Sequence, residues 1–234
     1  EDNFVDHILD PIHGQVGITK VELNIIKTDV FSRLKDIKQL GFVSNIYPSA
    51  THTRFEHSIG TLFITWEMLK RFATNYSQRS GMTTIEDFPD DLIQATRLAA
   101  LLHDLGHGPY SHGIEEVFPY VGMKFEHDEL TNYLLTYHLP ESSIESVSPN
   151  IKAFLLSNKP RRLMHFRKEL GKIKTNMRES ILGILNMQYK LKSKEPAGFL
   201  QLRYFLHDLL KGDVGSDRID YLLRDTYFTV SYTH

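Results

Sequence analysis

The sequence predicts a mostly α-helical fold, one compact domain with a short N-terminal hairpin or loop. Three observations carry this. Apolar residues recur at spacings of three and four through most of the chain, the mark of one buried face on a helix. Neither a repeat of fixed period nor a Pro/Gly/Ser-rich linker divides the 234 residues, so residues 1–234 are expected to form a single domain. The composition, 41% hydrophobic and 24% charged, is that of an ordinary globular chain and excludes fibrous and low-complexity classes.

Pro11, Gly14 and Gly17 place turns in DPIHGQVGI, hence the hairpin or loop. Leu23, Ile26, Val30, Leu34, Ile37 and Leu40 predict one helix, with Gly41 as its C-cap. The next starts near Arg54; Ile59, Leu62, Phe63, Trp66, Leu69 and Phe72 form its buried stripe, and it ends before NYSQRSGMTT. A third runs through DLIQATRLAALLHDL until Gly106, Gly108 and Pro109 break it. Further helical patterns cover Phe125 to His138, Ile151 to Leu156, Glu179 to Lys190, Phe199 to Leu210 and Asp217 to Asp225. The chain then ends at YFTVSYTH with no helix stop, and the expectation is a C-terminally incomplete domain.

With 27 basic and 29 acidic side chains the net charge is −2, so no global field drives the chain onto nucleic acid or an anionic membrane. Charge is nevertheless uneven. Between Lys159 and Lys194 eleven Lys/Arg face two acidic residues, which reads either as a solvated basic insertion over 159–194 or as a contact for phosphate, nucleic acid or a partner subunit. The N-terminus lacks a basic n-region and a long apolar run, and no segment approaches the roughly 20 apolar residues that span a bilayer, so a cytoplasmic protein is expected.

Cysteine is absent, which excludes disulfides, thiolate metal sites and cysteine nucleophiles. Histidine is abundant: of twelve, His52, His57, His103, His107, His112 and His127 fall within one third of the chain. His103-Asp104 closes an apolar helix and precedes the breaker GHGPYSH, so an imidazole and a carboxylate stand on a rigid helix end beside a sharp turn. That mixture of donors suits Fe, Mn, Co, Ni or Zn. His57 and Asp217 offer two further ligands on other helices. Arg54 lies one helical turn before His57, where a guanidinium can grip phosphate; the bland alternative is a surface Arg paired with Glu56. Asp217, Tyr221 and Asp225, spaced by four, share one helical face. Asp220 and Arg224, also four apart, read as a structural salt bridge without a catalytic role. His52, His138, His165 and His207 read as surface or packed histidines.

RFEHSIG, HDLGHGPYSH, FEH and SDRIDYLLRD, in that order, resemble the HD-domain phosphohydrolase superfamily and within it the deoxynucleoside triphosphate (dNTP) triphosphohydrolases. DPIHG and RLKDIKQLGFVSNIYPSATHTRFEHSIG are similar to the same branch. The likeness runs from about Asp10 to Asp225 and is weakest over 159–194. It implies an HD-type helical fold and a divalent metal, Mg included, on His57, His103, Asp104 and Asp217. It implies hydrolysis of a dNTP to deoxynucleoside and inorganic triphosphate, and a homo-oligomer. By the same resemblance Arg54 and His107 contact phosphate, His112 stands near the α-phosphate and leaving 5′ oxygen, and His127 is a further active-site histidine. Glu115 replaces a family Asp that partners the second histidine, keeping the charge with a longer reach. Gln39 and Leu40 match residues touching sugar and base, and Tyr221 and Asp225 match those on the deoxyribose and its 3′-hydroxyl.

Departures are informative. Vertebrate members of that branch read a guanine-nucleotide activator with an Asp, a Gln and an Arg, where this chain carries Lys27, Ser32 and Lys35. Two other readings stand beside the dNTP hydrolase. One is an HD phosphohydrolase or phosphodiesterase acting on another nucleotide or a nucleic-acid end. The other is a nucleotide-sensing or nucleic-acid-binding regulator, against which the four-ligand set argues.

Overall fold

A computed structural model describes residues 3–80, 89–122, 126–136, 160–187 and 199–229. It is predominantly helical, with one two-stranded antiparallel hairpin at the N-terminus. Strand β1 (Phe4–Asp10) pairs with β2 (Gly14–Thr19), Asp10 lying opposite Gly14. Gly14 takes φ +74°, a region glycine enters without a Cβ clash. Oδ1 of Asp10 accepts the N–H groups of Ile12 and His13, both at 2.9 Å, which curls the tip inward and aims His13 at the protein body.

The single helix expected from Leu23 to Leu40 is instead two. Helix α1 (Lys20–Ile26) stops, α2 (Asp29–Ser32) restarts, and 3₁₀ turns follow over Arg33–Asp36 and Gly41–Asn45. Thr28 is the cause. Its hydroxyl donates to the Ile25 carbonyl at 2.6 Å and accepts the Phe31 N–H at 3.4 Å, capping the second helix and ending the first. Ile26, Val30, Leu34 and Ile37 are still buried, so the apolar period survives the break. Gly41 caps no helix. With φ +50° it opens a 3₁₀ turn, and a Cβ there would lie 3.2 Å from the Tyr110 carbonyl oxygen.

Helix α3 (Arg54–Ser80) is longer than expected at its C-terminus, and α4 (Asp90–Leu102) ends three residues before Leu105. Two short helices, α5 (His112–Val117) and α6 (His127–Thr136), follow. Of the pattern expected over 125–138, Phe125 and residues 137–138 lie outside the described residues, as does the whole of 151–156. Helices α7 (Pro160–Gly171) and α8 (Thr175–Leu185) come next, the second starting four residues before the pattern expected over 179–190, of which 188–190 lie outside the described residues. Helices α9 (Phe199–Lys211) and α10 (Ser216–Phe228) complete the fold.

Helix α4 sits between α3 and α8, and α10 lies along α3. Ala95, Leu98, Ala99, Leu101 and Leu102 of α4 are fully buried. In the basic stretch the described residues are no solvated insertion: Phe166, Leu170, Ile173, Ile181, Leu182 and Ile184 all enter the core. Two of its lysines are paired, Lys172 with Glu169 at 2.6 Å and Lys174 with Asp91 at 2.9 Å. A buried pair ties α1 to α4: Arg97 Nε and Nη2 donate to the two oxygens of Glu22 at 2.7 and 2.9 Å. Among the described residues no helix is long and apolar enough to cross a membrane.

Candidate active site

Three helix ends converge. Thr53 and Glu56 begin α3 as a capping pair, the Thr53 hydroxyl donating to Glu56 at 2.9 Å, and this frees Arg54 and His57 to face inward. His103 is the C-cap of α4, Asp104 opens the following turn, and Asp217 stands in the first turn of α10. Gly106 lets that turn approach α6: a Cβ there would lie 1.9 Å from the His127 carbonyl oxygen. Arg33 grips the same turn, donating to the carbonyls of His107 (2.7 Å) and Leu105. Burial lowers its pKa to about 10.

Nε2 of His57 lies 3.2 Å from Nε2 of His103, 3.1 Å from Asp217 Oδ1 and 3.6 Å from Asp104 Oδ2. His103 Nε2 is 3.4 Å from Asp104 Oδ1 and 3.5 Å from Asp217 Oδ1. The other nitrogen of each ring is committed. His57 Nδ1 donates to Asp220 Oδ2 at 2.7 Å and His103 Nδ1 donates to the Ala100 carbonyl at 2.7 Å, because neither oxygen can donate. In the neutral rings both Nε2 lone pairs therefore face each other and two carboxylates. Electron-rich atoms gathered this way call for a cation: His57, His103 and Asp104 lie close enough to share one, and Asp217, near both imidazoles, adds a second carboxylate of the kind a divalent transition metal takes. The electrostatics of His57 say the same. Burial alone would lower its pKa, but hydrogen bonds to Asp217 and Asp220 and the nearby Asp104 push it up to about 10. Burial would raise Asp104 and Asp217, but the charge of His103, joined by Arg54 and His107 at the first and by His57 at the second, together outweighs it and holds both below the usual carboxylate range.

Sequence reasoning missed what lies behind His57. Asp220, fully buried, accepts from His57, from His13 Nε2 at 2.6 Å, and from Nε and Nη2 of Arg224 at 2.9 and 3.0 Å. Arg224 Nη1 lies 2.9 Å from Asp10 Oδ2, an ion pair without hydrogen-bond alignment. The salt bridge expected of Asp220 and Arg224 is present, but the pair also orients a candidate ligand. No spacing rule could have disclosed this, since His13 and Asp220 stand 207 positions apart.

Next to the donors Arg54, buried rather than paired with Glu56 at the surface, binds Asp104 and donates from Nε to Ser111 Oγ at 2.8 Å. Tyr110 and Ser111 hold φ of +63° and +52°, a left-handed turn rare for such residues. His107, His112, Glu115 and His127 form a second cluster. Glu115 accepts from His112 Nδ1 at 3.2 Å and from His127 Nδ1 and backbone N–H at 2.9 and 3.1 Å. Its longer reach thus serves both histidines. Burial would raise the Glu115 pKa, but the charge of His127 and the hydrogen bonds of both histidines lower it. His107 stacks on His127 at 3.7 Å, and burial lowers its pKa to about 4. His112 is two-thirds exposed.

Asp225 Oδ1 accepts from His52 Nε2 at 2.7 Å, while Gln39 and Leu40 stand half-buried in the turn after the Lys38–Thr53 bridge. Tyr221 is half-buried on the face of α10 that carries Asp217 and Asp225. Of the histidines set aside, His52 is buried, His207 donates to the Ile184 carbonyl, His165 is half-exposed, and His138 lies outside the described residues.

Two histidines and two carboxylates on the ends of three helices, all buried but the partly exposed Asp217, define a helical protein with a candidate metal centre. The chain belongs to the HD domain family, whose model matches residues 54–174, a family of metal-dependent phosphohydrolases. It is 31% identical over 226 residues to a deoxynucleoside triphosphate triphosphohydrolase of Danio rerio, covering 93% of this chain and 33% of that protein. It is 31% identical over 228 residues to an uncharacterized protein of Methanocaldococcus jannaschii, covering 95% and 34% respectively. Among solved structures, a phosphohydrolase from Bacteroides thetaiotaomicron superposes with a TM-score of 0.63 at 26% identity, covering 97% of this chain and 44% of that one. The chain thus spans less than half the length of these relatives.

Proposed function

We propose that this chain is the catalytic core of a hydrolase that cleaves dNTPs to the deoxynucleoside and inorganic triphosphate. The observation that carries the reading is a buried guanidinium on the donor cluster, Arg54 on Asp104, which His107 links to the His112–Glu115–His127 group, together with Asp225 held by His52 on the helix that carries Asp217. The guanidinium and histidines suit phosphates, and the Asp225 carboxylate suits a sugar hydroxyl. The name of the Danio rerio relative supports the same substrate.

His57, His103, Asp104 and Asp217 would hold the metal, and Lewis acidity toward the phosphoryl group is what a divalent cation supplies there. Arg54 and His107 contact the phosphates, the guanidinium orienting them as a fork. His112 donates a proton to the leaving 5′ oxygen. Glu115 holds its Nδ1, so Nε2 is the atom that delivers that proton, and His127 shares the carboxylate. Gln39, Leu40, Tyr221 and Asp225 take the sugar and base. A homo-oligomer and a cytoplasmic setting complete the reading, with the basic stretch 159–194 as its candidate contact for nucleic acid.

Metal-loaded protein incubated with dNTPs, NTPs and NMPs, with products separated, tests it. Intact triphosphate from dNTPs is expected. Diphosphate or orthophosphate as the sole initial inorganic product would assign a different phosphohydrolase activity.

A further inference from the structure

Several contacts meet in one residue. His52 is 1% exposed, and its ring lies on Phe228 with centroids 4.7 Å apart and planes 20° from parallel. Its Nε2 donates to Asp225 Oδ1 at 2.7 Å, and its carbonyl accepts the N–H of Gln39 at 3.0 Å. Asp225 comes from α10 and Gln39 from the bridge segment after α2, so this residue joins the two parts of the chain that would read a sugar. The Gln39 Oε1 atom is buried and has no hydrogen-bond partner among the described residues, an unmet demand of the kind a bound ligand satisfies. The Asp225 side chain is 24% exposed. With Oδ1 taken by His52, its Oδ2 is left to accept from a ligand hydroxyl.

We propose that His52 is a positioning residue for recognition of the substrate's 3′-hydroxyl, acting through Asp225 and Gln39. The inference rests on the dNTP reading above. A buried, stacked imidazole cannot swing, so it fixes which carboxylate oxygen faces the sugar, while the backbone carbonyl of the same residue holds the Gln39 segment. Without it the carboxylate rotates freely and the charge-assisted hydrogen bond to the hydroxyl is lost in most orientations.

The test uses two substrates, a dNTP and the corresponding 2′,3′-dideoxynucleoside triphosphate, with three proteins: wild type, His52→Phe and His52→Gln. Phenylalanine keeps the volume and the stack on Phe228 but removes the donor; glutamine restores an N–H. For the dNTP, His52→Phe should raise KM on the order of tenfold with kcat and bound metal unchanged, and His52→Gln should recover most of the loss. For the dideoxy substrate all three proteins should share one KM. A KM rise equal for both substrates would mean a merely structural role and overturns the proposal, as does an unchanged KM for the dNTP. His52→Leu replaces the phenylalanine variant if circular dichroism shows that variant unfolded. A wild type that cleaves neither substrate removes the dNTP reading and this inference together, whereas an active wild type with either overturning result removes the inference alone.

Discussion

Asp220 holds His57 by its Nδ1 atom at 2.7 Å and thereby decides which nitrogen faces the other candidate ligands. A carboxylate behind a metal-ligating imidazole fixes ring orientation and raises ligand basicity, and its removal typically costs about 10- to 100-fold in metal affinity. Asp220→Asn keeps the shape and loses the charge. We expect it to bind metal more weakly by that factor while Asp104 and Asp217 remain in place. Calorimetric titration of the metal-free protein measures this, and an affinity equal to wild type would remove the orienting role.

The ligands themselves should behave differently. Asp104→Ala or His103→Ala should abolish bound metal and activity while far-UV circular dichroism stays helical, since both residues follow α4 rather than build it. Elemental analysis decides the point: full metal content in both variants contradicts the assignment.

Glu115 joins His112 and His127 through separate hydrogen bonds. Glu115→Gln keeps the size but offers one acceptor oxygen where the carboxylate offers two. We expect kcat to fall about 100-fold or more, with metal content unchanged, because the group organised here moves a proton and does not hold the metal. A kcat within a few-fold of wild type would separate Glu115 from proton transfer.

Activation by GTP should not be obligatory. A guanine edge presents donors at N1 and N2, which call for a carboxylate acceptor, and Lys27 is a cation. Ser32 Oγ is already spent on the Ile26 carbonyl at 3.0 Å, and Lys35 Nζ lies over the Phe55 ring at 4.7 Å. Turnover of dNTPs by nucleotide-free protein across a GTP titration checks this. Activity absent without GTP and saturable with it would refute the expectation.

What could be read from the sequence was what is local. The stripe from Ile59 to Phe72 and the run before His103 gave α3 and α4 because one helical period spans them, and HDLGHGPYSH marked the turn between apolar helix and breakers. The end of α1 was hidden because Thr28 interrupts the backbone without interrupting the apolar period. Helix α7 was hidden by its charge: Leu163, Phe166 and Leu170 keep helical spacing among lysines and arginines that drew the reading toward solvent. In the site, residue types and spacing pointed to His103 and Asp104, and the resemblance supplied the roles of the others. The pairings of Asp220 with His57 and His13, and of His52 with Asp225, escaped because the partners lie 163 to 207 positions apart, and no helical or strand period links such pairs.

The hairpin tip that sends His13 to Asp220 has a consequence for biosynthesis. The second candidate ligand, His103, emerges before the middle of the chain, but Asp217 and the carboxylate that orients His57 arrive only with the last described helix. Loop closure over such sequence separations is slow compared with helix formation. A nascent chain therefore carries α1 to α4 without a competent centre until α10 is made, and completion of the donor cluster reports that the hairpin and α10 have met.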